Sequence, residues 1–192
     1  MIVLTSKFWL EGYAFDKHTT YSEYLGEDEF GRPMFETARP PMGEAVYWFK
    51  YKHDSSKLKT IMSLLEQNSD FSKFMQKFDY IVTIPPTNKD RPFQPVDLFA
   101  RSVAETYHKI YRNDLFKTTN TIELKNKSRD EKRVILRPTI IVNEILPLDA
   151  NLCIFDDVYD SGSTLSVYAE LLKEKGFQHI YVFTLTKTKN SN

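Results

Sequence analysis

Leu152-Cys153-Ile154-Phe155-Asp156-Asp157-Val158-Tyr159-Asp160-Ser161-Gly162-Ser163-Thr164 is the stretch of this 192-residue chain on which the fold turns. Its first four residues are apolar without alternation, as a strand covered on both faces would be. Two acids end that strand. A short polar turn then leads into Leu165, Tyr168, Ala169 and Leu172, whose spacing marks one face of a helix. Gly176 ends the helix, and Ile180 to Leu185 gives another covered strand.

The same rhythm extends back along the chain. Tyr80-Ile81-Val82-Thr83-Ile84 is a compact β run stopped by Pro85-Pro86. Val96, Phe99, Ala100, Val103, Tyr107 and Ile110 mark a long amphipathic helix. Before them, Leu58, Ile61, Met62 and Leu65 share one helical face, with Asp54, Ser55 or Ser56 available as cap. Phe71, Phe74, Met75 and Phe78 repeat the pattern in a second short helix. Strands alternating with helices predict an α/β fold, a parallel sheet flanked by helices. Ligands in such folds sit outside the carboxyl ends of the strands. The chemistry is therefore expected just after Ile84 and just after Phe155.

Residues 1–50 read differently. They are rich in Tyr, Phe and Thr, with turn signals at Gly26, Gly31-Arg32-Pro33 and Pro40-Pro41. Ile2-Val3-Leu4 and Val46-Tyr47-Trp48-Phe49 suggest strands. The expectation is a β-rich N-terminal hood or lead-in over 1–50, followed by the α/β domain over 51–192. A chain of this length suits one good core and is short for two.

Bulk composition narrows the partners. Lys plus Arg equals Asp plus Glu at 26 each, so net charge gives no sign of a nucleic-acid or membrane partner. The one cysteine, Cys153, lies inside an apolar run, which excludes an internal disulfide and a four-cysteine zinc site and suits a reducing cytoplasm. No signal peptide, membrane span, internal repeat or low-complexity tract is expected. His18, His53, His108 and His179 show no metal spacing, and there is no Gly-x-Ser-x-Gly elbow.

The turn after Phe155 is where chemistry concentrates. A helix N-terminus offers unpaired N–H groups and partial positive charge. Gly162 lets the backbone take a positive φ and approach an anion closely. Ser161, Ser163 and Thr164 add hydroxyls, and together these form a cup for a phosphate monoester. Carboxylates at Asp156 and Asp157 repel a phosphate, but they accept hydrogen bonds from a vicinal diol or hold a metal through water. A ligand with a phosphate at one end and a ribose diol beside it satisfies both halves. Two plainer readings stay open: a simple helix cap, and a metal site built from Asp156, Asp157 and Asp160.

The segment Cys153 to Thr164 closely resembles the phosphoribosyl pyrophosphate signature of type I phosphoribosyltransferases. The resemblance implies that fold, with Asp156 and Asp157 on the ribose hydroxyls and Asp160, Ser161, Gly162, Ser163 and Thr164 on the 5′-phosphate. Within the family, Arg91-Pro92-Phe93-Gln94-Pro95-Val96-Asp97-Leu98-Phe99-Ala100-Arg101 resembles an Arg-Gly-Phe-Asn-Gln stretch of the ComF-like competence proteins, with Pro92 and Pro95 as departures. The four-cysteine zinc module common in those proteins is missing. The likeness covers roughly residues 45–188.

What the family does supplies further expectations. Phosphoribose passes from phosphoribosyl pyrophosphate to a nitrogen acceptor such as a nucleobase, with Mg²⁺ bridging diphosphate oxygens and no metal ligand supplied directly by the protein. Thr87, Asn88, Lys89 and Arg91 stand where the family binds pyrophosphate; an ordinary surface turn is the other reading. The polar run 123–133 reads as an exposed, mobile loop or a solvated turn, or as the family's closing loop with Lys125, Lys127 and Arg129 over the leaving group. Asp160 matches the position of a catalytic base in purine-specific members, or else it only orders its own loop. Phosphoribosyl pyrophosphate or a nucleoside monophosphate is the expected partner, and relatives are commonly homodimers. An alternative function is a non-catalytic ribose-phosphate module, tied to DNA uptake or processing by the ComF likeness alone.

Overall fold

A computed structural model of the chain describes residues 1–86, 92–119, 129–143 and 145–188. Six strands form the main sheet, in the order β1 (Ile2–Val3), β2 (Glu11–Lys17), β10 (Ile180–Lys187), β9 (Leu152–Tyr159), β5 (Tyr80–Thr83), β6 (Ile110–Arg112). All neighbours run parallel except β1, which is antiparallel to β2. Two small antiparallel pairs stand apart: β3 (Tyr21–Glu27) with β4 (Pro33–Ala38), and β7 (Phe116–Thr118) with β8 (Ile140–Val142). The helices are α1 (Pro41–Tyr51), α2 (Lys57–Glu66), α3 (Ser69–Phe74), α4 (Pro95–Thr106), α5 (Arg129–Leu136) and α6 (Ser163–Glu174).

The expected α/β class, a parallel sheet flanked by helices, is the observed one. Period-two alternation sorts the strand residues into two layers. Leu152, Ile154, Val82 and Val182 pack with Leu165, Tyr168 and Leu172 of α6. Cys153, Phe155, Ile81 and Phe183 pack with Val46 and Phe49 of α1, Leu65 of α2 and Phe99 of α4. Phe155 lies at the centre of the second layer, its ring 5.7 Å from Phe99 and 5.2 Å from Phe183. Burial of one such ring stabilises the fold by about 1.5–3 kcal/mol.

Several local expectations change. Val46-Tyr47-Trp48-Phe49 is not a strand but the middle of α1. Pro41 sits in its first turn, where a missing N–H costs nothing. Met42, Ala45, Val46 and Phe49 form its buried face, while Trp48 and Tyr51 point outward and blur the sequence pattern. Strands β1 and β2 of the expected lead-in belong to the main sheet, and only the β3–β4 hairpin stands off it. Helix α4 ends at Thr106, so Ile110 opens β6 instead of closing a helix. Of the polar run 123–133, residues 123–128 lie outside the described residues, and 129–133 are helical, within α5. There, Val134 is exposed while Leu136 is buried, so a single apolar anchor follows a charged turn. Among the described residues, no helix is long and apolar enough to cross a membrane.

Candidate active site

Strand β9 is longer than its neighbour β5, and that mismatch makes the site. Its ladder with β10 continues to Tyr159 opposite Lys187. Its ladder with β5 stops at Phe155 opposite Thr83. Beyond Phe155, β9 has no strand on its β5 side among the described residues. A cavity of about 530 Å³ opens there, lined by Ile84, Pro85 and Pro86 after β5, by the start of α4, and by Asp156, Asp157 and Thr164. The chain leaves β5 through α4 toward β6 on one side, while β9 flanks β5 on the other. This is a topological switch point, where open α/β sheets bind ligands.

Asp156 and Asp157 were expected to end the strand; they lie inside it, because β10 keeps supplying ladder partners as far as Lys187. The alternation that sorts Leu152 to Phe155 continues through them. It places Asp156 on the α6 side and Asp157 on the α1 side, and both line the cavity. The Asp157 N–H donates to Asp156 Oδ1 at 2.8 Å. Burial and the adjacent Asp157 carboxylate push the Asp156 pKa up to about 7, against the opposing pull of Lys50 and that N–H.

Lys50 is a residue the sequence reading missed. Its Nζ donates to Asp157 Oδ1 at 2.7 Å, with the two side chains only 18% and 8% exposed. Burial pulls the Lys50 pKa down, but Asp157, Tyr51 and Asp156 together outweigh it and hold the ammonium above its ordinary value. The signal was present, since Lys50 stands four residues after buried Val46 on the inward face of α1. Reading that segment as a strand hid it. Nearby, His18 Nδ1 lies 3.0 Å from Thr186 Oγ1, and burial, with Arg39 and Lys50 adding to it, holds its pKa below the ordinary value.

The polar turn leads into α6 with no side-chain cap. Gly162 takes the N-cap position in the left-handed region, φ 71°. Ser161 and Ser163 share a hydrogen bond between their hydroxyls at 2.8 Å, and the Ser163 N–H reaches Ser161 Oγ only at 3.4 Å. A second cavity of about 60 Å³ lies over this turn, lined by Asp160 to Thr164 and by Lys132 of α5. One water needs about 10–15 Å³, so there is room for several. Thr164 and Asp156 line both cavities, so the two adjoin.

Asp160 is exposed, and its Oδ1 accepts from Thr188 Oγ1 at 2.9 Å. Among the described residues no three His, Cys, Asp or Glu side chains converge as a metal site, so the three-acid metal reading of Asp156, Asp157 and Asp160 is not formed. Thr87, Asn88, Lys89 and Arg91, expected on the pyrophosphate, lie outside the described residues, as do Lys125 and Lys127.

No protein-family model and no curated protein sequence matches the chain. Solved structures do. An adenine phosphoribosyltransferase is similar over 88% of this chain and 85% of its own, at 12% identity and a TM-score of 0.47. Orotate phosphoribosyltransferase from Aeropyrum pernix is similar over 88% and 77%, at 11% identity and a TM-score of 0.46. Adenine phosphoribosyltransferase from Saccharomyces cerevisiae is similar over 85% and 83%, at 13% identity and a TM-score of 0.42.

Proposed function

We propose that the chain binds phosphoribosyl pyrophosphate and transfers its phosphoribose to a nitrogen acceptor such as a nucleobase. One observation carries the reading. Two neighbouring acids, half-buried Asp156 and buried Asp157, adjoin an uncapped helix N-terminus across a left-handed glycine, within adjoining cavities at the switch point. A ribose 5-phosphate carries both groups that these features suit, a diol for the acids and an anion for the helix amides.

In this reading Asp156 and Asp157 accept the ribose hydroxyls. The amides of Gly162, Ser163 and Thr164 hold the 5′-phosphate, helped by the hydroxyls of Ser161, Ser163 and Thr164 and by Lys132. Thr87, Asn88, Lys89 and Arg91 are proposed for the diphosphate, and the β3–β4 hairpin for the hood over the acceptor. As the C1–oxygen bond to diphosphate breaks, a C1–nitrogen bond forms, and the diphosphate leaves with the bond electrons. Positive charge grows on the sugar, so a rigid hold on the flanking anions and exclusion of water serve the reaction. Mg²⁺ keeps several waters and would be held by the ligand's phosphates, with Asp156 and Asp157 reaching it only through water. When bound, that ion cancels charge on the departing diphosphate. The acceptor's proton goes to Asp160 or to solvent.

A second reading, binding without transfer as in a ComF-like sensing module, draws on the Thr188 contact. That contact engages the carboxylate in ordering its own turn. The two readings separate by mixing the protein with Mg²⁺, phosphoribosyl pyrophosphate and a panel of bases and measuring pyrophosphate release. Release with one base establishes transfer. Binding by calorimetry with no release for any base leaves the sensing module. Loss of that binding is expected when Asp156→Asn and Asp157→Asn are combined; undiminished affinity in the double variant would remove the ribose assignment from both readings.

A further inference from the structure

We infer that Lys50 is the positioning residue of the sugar site: it holds in place the Asp157 carboxylate, through which a ribose hydroxyl is recognised. The inference rests on the ribose 5-phosphate reading above. Neither the sheet nor the signature turn supplies this residue. It comes from α1, in the first third of the chain, 107 residues from its partner.

The geometry supports a fixed contact and not a chance surface pair. Lys50 lines the same 530 Å³ cavity as Asp156 and Asp157. Its base is held firmly, because α1 buries Met42, Val46 and Phe49 and packs Gly43 against the carbonyls of Lys17 and His18. A β-carbon at Gly43 would overlap the His18 carbonyl oxygen, so α1 lies as close to the end of β2 as backbone permits. From there the ammonium reaches Oδ1 of Asp157 at 2.7 Å.

Two carboxylates side by side in a poorly solvated strand do not both stay charged without a cation. Lys50 supplies the cation to one of them. A carboxylate accepts several hydrogen bonds, so Asp157 keeps capacity for a sugar hydroxyl while Lys50 holds its plane. Hydrogen bonds to a charged, oriented acceptor are the stronger and more directional kind.

The test is calorimetric titration of ribose 5-phosphate, and separately of inorganic phosphate, into the full chain. Four forms are compared with wild type: Lys50→Met, Lys50→Arg, Asp157→Asn, and Lys50→Met combined with Asp157→Asn. Lys50→Met is expected to weaken ribose 5-phosphate by about tenfold, the worth of one charge-assisted hydrogen bond. Lys50→Arg should recover part of that, and inorganic phosphate should change by less than about twofold. In the Asp157→Asn background, removing Lys50 should cost nothing more. Lys50→Met alone strands a buried charge and can lose the fold. Asp157→Asn likewise strands the Lys50 ammonium, but the double variant carries neither charge, so a loss there for ribose 5-phosphate and not for inorganic phosphate supports the inference even if both single variants fail to fold. A further loss in the double variant, or an equal loss for inorganic phosphate, overturns the inference by making Lys50 an independent counter-charge. If wild type binds ribose 5-phosphate and Lys50→Met binds it equally well, this inference alone falls. If wild type does not bind it, the proposed function falls too.

Discussion

The phenol of Tyr159 occupies the place a β-carbon on residue 162 would take, and Gly162 there holds φ 71°. The last residue of β9 thus packs directly under the first turn of α6. That contact fixes the angle at which the helix amides meet the acids. Glycine is needed twice over, for the backbone and for the space. Gly162→Ala is expected to destabilise the fold by about 2–4 kcal/mol, combining left-handed strain with overpacking. In a Tyr159→Ala background the same change should cost only the backbone part, about 1–2 kcal/mol. Chemical denaturation of the four forms checks this; equal costs in both backgrounds would remove Tyr159 from the account.

Asp156 gives a pH signature. Its pKa, near 4 in an unfolded chain, is raised to about 7 by burial and by Asp157. The folded chain therefore keeps a proton that the unfolded chain releases across that interval. The contribution to stability is full below about pH 4 and is lost as pH rises through about 7. Asp156→Asn cannot lose a proton, so its stability should fall less than wild type's between pH 5 and pH 8. Over that range the difference is expected to reach at most about 3 kcal/mol. Urea denaturation of both forms across that range measures it, and parallel curves would mean that Asp156 is solvated and already charged.

The central features were legible because they are local. A four-residue apolar run, two acids and a Ser-Gly-Ser turn constrain strand, turn and helix within thirteen positions, and Gly162 declares its own φ. Two parts were not legible. Tyr47, Trp48 and Tyr51 lie on the outer side of α1, so a helix with aromatics on both faces imitates a strand when read in windows of four. Lys50 was hidden with it, since a buried lysine reveals itself only when its partner, 107 residues away, is in place. The extension of β9 past Phe155 was equally non-local. Asp156 and Asp157 become strand residues only because β10 runs alongside them as far as Lys187.

Asp160 can be tested against its own anchor. Its carboxylate accepts from Thr188, at the end of β10, which ties the phosphate turn to the neighbouring strand. Thr188→Val removes that donor and leaves the carboxylate in place. If Asp160 serves as the base, Thr188→Val should leave turnover intact or raise it, while Asp160→Asn slows turnover by about a hundredfold or more with substrate affinity unchanged. If Asp160 only orders the turn, both variants should weaken ligand binding by similar factors and shift turnover little. Steady-state kinetics on the two variants, read as kcat against KM, tells these outcomes apart.

Lys132 reaches the phosphate cup from a different element, and α5, together with Arg137 in the 3-10 turn that follows it, is tied to α6 by ion pairs along one side. Arg133 Nη2 lies 2.5 Å from Glu170 Oε1, and Arg137 Nη2 lies 2.6 Å from Glu174 Oε2. Arg137 Nη1 also approaches Glu170 at 3.5 Å, which links the pairs into a network. Single exposed pairs are worth little, but a network spanning two helices fixes their relative rotation. That rotation brings Lys132 to the 60 Å³ cavity at the start of α6. Lys132→Ala should therefore weaken ribose 5-phosphate about fivefold without weakening the unphosphorylated sugar, and added salt should shrink the difference. Arg137→Gln leaves every cavity residue in place, yet it should reproduce part of the loss by loosening α5. An effect of Arg137→Gln with none from Lys132→Ala would show that α5 acts on the cup by packing and that its lysine is a bystander.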